Sequence, residues 1–246
     1  RIRQLADGNP IADYLLFIAK LVDAQHKAAQ GLQVAAPDAT AIAQAQQFSS
    51  PLLPAADHID PIWHQVLDGM LGQLASADGL PEALQPLIAE LQRCNTDDRN
   101  ALAKRLLTKE LAARDVGLAP FVMAALQVVF ATRASQLRLA DIPFTNPATI
   151  CPVCATEPVA GVVRIGGKMA GHRYLHCGCC ATEWHMVRIK CSHCESTKGV
   201  RYQGLEGGKD VVLAETCTEC GSYRKMVNQE KDPLAEPLAD DLASLI

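Results

Sequence analysis

Apolar side chains recur at helical spacing through residues 1–138, and the pattern predicts a bundle. Asn9-Pro10 supplies a cap and a first-turn proline for a helix from Ile11 to about Gln30, with Leu15, Ile18, Ala19 and Val22 on one face. Asp38 to Gln47 reads as shorter helical turns. Asp60-Pro61 opens a second long helix carrying Ile62, Val66, Met70, Leu71 and Leu74, and Leu80-Pro81-Glu82 opens a third that runs to about Cys94. Thr96-Asp97-Asp98 caps a fourth, with Leu102, Leu106, Leu107 and Leu111. The last begins near Ala119 and is apolar almost all round, through Phe121, Val122, Leu126, Val128, Val129 and Phe130. Such a helix belongs in the middle of a bundle.

The periodicity then stops. Residues 139–150, with Pro143, Asn146 and Pro147, read as a linker. Beyond them, short runs suit antiparallel strands: Val162–Ile165 and Arg173–His176, then Gly199–Tyr202 and Val211–Ala214. Gly166-Gly167 and Gly207-Gly208 read as the turns between them. The final stretch, 232–246, predicts an amphipathic helix from Leu234 that docks elsewhere on the chain. The fold class is therefore α+β: a helical domain over 1–138, a linker, a metal-binding domain over 151–231 and a helical tail.

Four Cys-x-x-Cys pairs punctuate that second half: Cys151/Cys154, Cys177/Cys180, Cys191/Cys194 and Cys217/Cys220. Adding 40 to each position of the first two pairs gives the last two, and Met186-Val187 matches Met226-Val227 at the same offset. Duplication of one ribbon-like module, 151–190 and 191–231, explains this. Two such loops present four thiolates, which suits a tetrahedral ion. Equal loop lengths favour sequential pairing over a cross-brace. The expected ligands are Cys151, Cys154, Cys177 and Cys180 on one ion, and Cys191, Cys194, Cys217 and Cys220 on another. Modules this small cannot bury a sufficient core, so metal binding would supply folding energy on the order of 10 kcal/mol per site. Loss of Cys177 is then expected to damage the metal-binding domain and spare the bundle.

Disulfides are the competing use of ten cysteines. Nine lie in one region at metal-type spacing beside an ordinary helical half, which favours metal in a reducing compartment. Cys179, between Cys177 and Cys180, is expected to point away from the ion, and Cys94 to be a small buried hydrophobe. His172, His176, His185 and His193 lie nearby, but eight sulfurs already fill two sites. Asp57, His58, Asp60 and His64 read as a capped helix start rather than a reaction centre.

Charge and composition narrow the function. Residues 150–231 carry eleven Lys/Arg against eight Asp/Glu, and the tail from Asp232 carries four acids and no base. Eight thiolates with two divalent ions would shift the metal region by about −4. No basic stripe results, and Tyr174, Trp184, Tyr202 and Tyr223 are the only aromatics of that region, so nucleic acid is not expected as a partner. No apolar run reaches the ~18 residues that span a bilayer. The sequence opens on Arg1 rather than Met, which leaves the native N-terminus open.

Several stretches resemble the formate dehydrogenase accessory protein family, FdhE. They are Cys151-Pro152-Val153-Cys154, Leu175-His176-Cys177, Cys180-Ala181-Thr182-Glu183-Trp184-His185, Arg188-Ile189-Lys190-Cys191, Tyr223, Gln229-Glu230-Lys231-Asp232-Pro233 and Ala239-Asp240-Asp241-Leu242-Ala243. The resemblance covers the metal domain and tail, with Cys179 as a departure from the pattern. It implies a cytoplasmic assembly factor for formate dehydrogenase that contacts the catalytic subunit. It also implies rubredoxin-like iron on the eight paired cysteines, with zinc as the alternative. Glu183, Trp184 and His185 are candidate partner-binding residues, Trp184 either as an exposed anchor or as core over the metal loop. No nucleophile constellation or phosphate loop is visible, so no catalytic activity is expected. A rubredoxin-like electron carrier or redox sensor and a nucleic-acid-binding double zinc ribbon are the other two classes. The oligomeric state, including a homodimer, stays open.

Overall fold

A computed structural model describes residues 1–166, 170–205 and 210–245. The turns expected at Gly167 and Gly207-Gly208 lie outside the described residues. Seven helices precede the sheet: α1 (Ile2–Ala6), α2 (Ala12–Ala29), α3 (Ala39–Phe48), α4 (Trp63–Ala75), α5 (Gln85–Arg93), α6 (Thr96–Leu107) and α7 (Ala119–Ala134). Local chemistry sets their ends. Asp38 caps α3 by accepting from the Ala41 N–H, and Asn95 caps α6 by accepting from Asp98. The α6 cap thus falls one residue before Thr96, and the helix stops at Leu107. Leu111, expected on its apolar face, lies beyond it and is exposed. On α2, Leu15, Phe17, Ala19, Leu21 and Ala24 turn inward, while Val22 faces solvent.

Helix α7 packs against α2, α4 and α6 and buries nine side chains, as expected of a sequence with almost no polar face. Trp63, Leu67, Met70 and Leu71 of α4 complete the core around Phe121, Val122 and Leu126. Arg133, near the end of α7, ties two connecting segments to it: the guanidinium donates to the carbonyls of Ala35 and His58 and pairs with Asp60.

The metal half is one six-stranded sheet made of β1 (Pro158–Val163), β2 (Arg173–Cys177), β3 (Glu183–His185), β4 (Val200–Gly204), β5 (Val212–Cys217) and β6 (Tyr223–Asn228). The order is β3-β2-β1-β6-β5-β4. Neighbours are antiparallel except β1 and β6, which run parallel with Val162 opposite Val227. At the 40-residue offset β4, β5 and β6 repeat β1, β2 and β3. The sheet therefore reads third-second-first, then third-second-first again. The modules are related by translation along the sheet, and the first strand of one meets the third strand of the next. Gly161 permits this junction, because a Cβ there would fall on the Met226 side chain.

The terminal helix α8 (Pro237–Ala243) bridges the two halves. Glu236 caps it, Asp240 pairs with Arg1, Asn9 donates to the Ala243 carbonyl, and Lys225 of β6 donates to the Asp241 carbonyl.

Candidate metal centres

Each Cys-x-x-Cys pair sits on the same tight loop. The N–H of the first cysteine is bonded to the carbonyl five residues on: Thr156, Thr182, Ser196 or Ser222. The residue between second cysteine and hydroxyl residue takes a left-handed conformation, at Ala155, Ala181, Glu195 and Gly221, with φ of 65°, 58°, 60° and 69°. This bend turns both sulfurs to one side. Strands β1 and β2, then β4 and β5, bring two such loops face to face.

The result is two clusters, Cys151, Cys154, Cys177 and Cys180, and Cys191, Cys194, Cys217 and Cys220, with sulfurs within 4.8 Å in each. The pairing is sequential. In the first, Cys151–Cys180 is 3.5 Å and Cys154–Cys177 3.4 Å; in the second, Cys191–Cys220 and Cys194–Cys217 are both 3.8 Å. A disulfide would require about 2.05 Å. A tetrahedron of bonds near 2.3 Å places its corners about 3.8 Å apart, so the donor sets fit a thiolate-bound ion. Their electrostatics agree. Burial pushes the Cys151 thiol up, while hydrogen bonds from Cys151 and Cys177 hold Cys154 down. Four sulfurs this close and this buried could all be thiolates only with a cation among them.

A hydroxyl residue follows each pair, and three of the four reach sulfur. Thr156 Oγ1 lies 3.1 Å from both Cys154 and Cys177, Thr182 lies 3.1 Å from Cys180, and Ser222 lies 2.9 Å from Cys220. The Ser222 side chain, then its backbone N–H, draws the Cys220 thiol down to about 6. The signal was present in the sequence: all four loops read Cys-x-x-Cys-x-Thr/Ser.

Cys179 stays outside the first set, buried, where it lines a cleft of about 1070 Å³ between the helices and the first loops. No histidine joins either cluster among the described residues. His176 instead faces Glu183, which also pairs with Arg164. Trp184 is 9% exposed and its indole donates to the Ala148 carbonyl, so it packs as core, while His185 beside it is exposed. Asp60 is held by Arg133, His58 lies 3.0 Å from the Pro54 carbonyl and His64 lies 3.0 Å from the Asn100 side chain, so each has a partner of its own; the helix itself starts at Trp63 with no side-chain cap.

Comparison with known proteins decides the family. The description "FdhE, N-terminal" matches residues 1–144, "FdhE, central domain" residues 150–188, and "FdhE, C-terminal domain" residues 189–246. The chain belongs to the FdhE family. The FdhE homolog of Edwardsiella ictaluri is 40% identical over 248 residues, covering 100% of this chain and 80% of that protein. That of Yersinia enterocolitica is 39% identical, over 100% of this chain and 79% of its own. The crystal structure of the FdhE protein from Pseudomonas aeruginosa superposes with a TM-score of 0.85 at 36% identity, covering 99% of this chain and 86% of that one. Among the described residues no helix is long and apolar enough to cross a membrane.

Proposed function

We propose that this chain is a cytoplasmic accessory factor for the maturation of formate dehydrogenase, without catalytic turnover, that binds the enzyme's catalytic subunit through its metal-binding half. The observation that carries this reading is the FdhE match over three consecutive segments that together span nearly the whole chain. The site chemistry supports it. A four-thiolate set leaves an ion no open position for a substrate, so the centres serve structure or electron transfer rather than bond-making. Iron is the ion that the resemblance favours, and the same sulfurs accept zinc. When bound, an ion would offset part of the thiolates' charge and close each pair of loops; the chain's residues hold the sulfurs and donate hydrogen bonds to them.

The contact surface we favour adjoins Glu183, Trp184 and His185. Trp184 itself is inside, but Val187 is 50% and Ile189 69% exposed on the segment between the modules. Exposed apolar side chains beside His185 and Arg188 make a compact anchoring patch. The test is a pull-down of the formate dehydrogenase catalytic subunit by the metal-loaded chain. A Val187→Asp/Ile189→Asp double variant is expected to lose binding while keeping its metal and its fold. Undiminished binding would move the contact elsewhere, and absence of binding by the parent chain would reject the reading.

A further inference from the structure

The two clusters share their ligand types and spacing but not their surroundings. All four sulfur residues of the first are at most 2% exposed. They belong to the same core cluster as Trp63, Met70 and Phe121. Three backbone N–H groups of the α3–α4 connection, from Leu52, Leu53 and Ala55, donate to the carbonyls of Pro152, Val153 and Cys154. Both of its hydroxyl residues, Thr156 and Thr182, are within reach of sulfur.

The second cluster differs on every count. Cys191 and Cys217 are buried, but Cys194 and Cys220 are exposed. None of its cysteines belongs to the main core. Of its two hydroxyls, Ser222 Oγ lies 2.9 Å from Cys220, while Ser196 Oγ, the counterpart of Thr156, turns to the Lys198 backbone instead. Repetition made two equal sites, and packing against the bundle has sealed one of them.

We infer that the second centre is a metal-exchange site, opened through Cys194 and Cys220 to soluble thiols and chelators, while the first is a locked structural centre. The inference rests on the reading of both clusters as metal sites. Exchange would be a ligand substitution: with an ion held by Cys191, Cys194, Cys217 and Cys220, an incoming donor would replace Cys194, whose thiolate would stay on the chain and take up a proton from the solvent buffer. No oxidant or reductant is required. Entry at the first site would require the core to open, because no sulfur there faces solvent.

The experiment uses the full chain loaded with two equivalents of zinc and challenged with the chromogenic chelator pyridylazoresorcinol. One equivalent should leave at least about tenfold faster than the other, since release of the second is limited by local unfolding. Cys194→Ser should remove the fast equivalent and keep the slow one. Thr156→Val should hasten the slow one only. Alkylation of the parent protein by iodoacetamide, mapped by mass spectrometry, should reach Cys194 and Cys220 before any first-site cysteine, and this holds whether or not the variants fold. Release of both equivalents in one phase, or first alkylation at Cys151, Cys154, Cys177 or Cys180, would overturn the inference and leave the metal reading standing. A chain that takes up no metal would end both.

Discussion

At Ala181 the backbone adopts φ 58°, and at Gly221, the matching position of the second module, φ 69°. An L side chain in this region costs about 1–2 kcal/mol, and glycine avoids that cost while losing about 0.5–1 kcal/mol to its freer unfolded chain. Ala181→Gly should therefore raise stability by about 0.5–1 kcal/mol in the metal-loaded protein, read as a higher urea midpoint at unchanged slope. A lowered midpoint would mean that the methyl group contributes packing that exceeds the strain. The position illustrates what single residues disclose. The cysteines were legible because thiolate spacing is a strong signal. The left-handed residue and the hydroxyl after it were not read, because alanine, glutamate, threonine and serine are common everywhere. Their meaning appears only when four loops are aligned on their cysteines. Trp184 was ambiguous for a similar reason: nothing within a strand of three residues says which face the chain will cover.

Helices and strands differ in how far the sequence foretells them. Helix α7 was plain, since its unbroken apolar run admits only a central place. The limits of α6 were less so, because Leu111 keeps the apolar spacing after the hydrogen-bonded ladder has ended. Strands β3 and β6 were missed altogether. One is three residues long, and the other lies between β5 and β1, the latter more than sixty positions distant in sequence. The end of α6 is secured instead by a titratable pair. Arg105 donates to both oxygens of buried Asp115, at 2.8 and 2.9 Å, and the Ala112 N–H donates as well. The Arg105 hydrogen bonds, with help from Ala112, outweigh burial and hold the Asp115 carboxyl at about 2, against an ordinary 3.8. A depressed carboxyl stabilises the fold above its unfolded value, and the contribution is lost as pH falls toward its folded value. Asp115→Asn should therefore be less stable than the parent at neutral pH, and the gap should close between about pH 4 and pH 2. Acid also strips thiolate-bound metal, but from parent and variant alike, so the difference in urea midpoints isolates this pair. A gap that stays constant to pH 2 would assign the loss to packing.

Over the whole molecule, the decisive feature is where the core ends. The sequence reads residues 139–150 as a linker between bundle and metal domain, and on that reading loss of Cys177 spares the bundle. The residues lie otherwise than a free tether would: the Asn146 N–H donates to the Ser49 carbonyl, and Ala148 is held by both Trp184 and Glu195. Hydrophobic packing passes without a break from α4 and α7 into Val153, Leu175 and the first four thiols. Farther out, the buried Arg173–Glu215 pair joins the modules, and the Arg173 guanidinium also donates to the carbonyls of Met186 and Lys190. The gradient runs from a sealed centre inside the bundle's core to an exposed one at the far end. Cys177→Ser should then damage the helices as well, because it removes a ligand from within the shared core and leaves three crowded thiols there. Cys217→Ser should release the second ion while the helices keep a transition close to the parent's. Circular dichroism at 222 nm during thermal unfolding separates the two cases. The first variant should lose helix signal in one transition at a markedly lower temperature, because the ion that would close the shared core is no longer held by four sulfurs. The second should lose mainly the protease resistance of β4 to β6. Helix transitions unchanged in Cys177→Ser would show the bundle to be a folding unit of its own, with the metal domain merely resting on it.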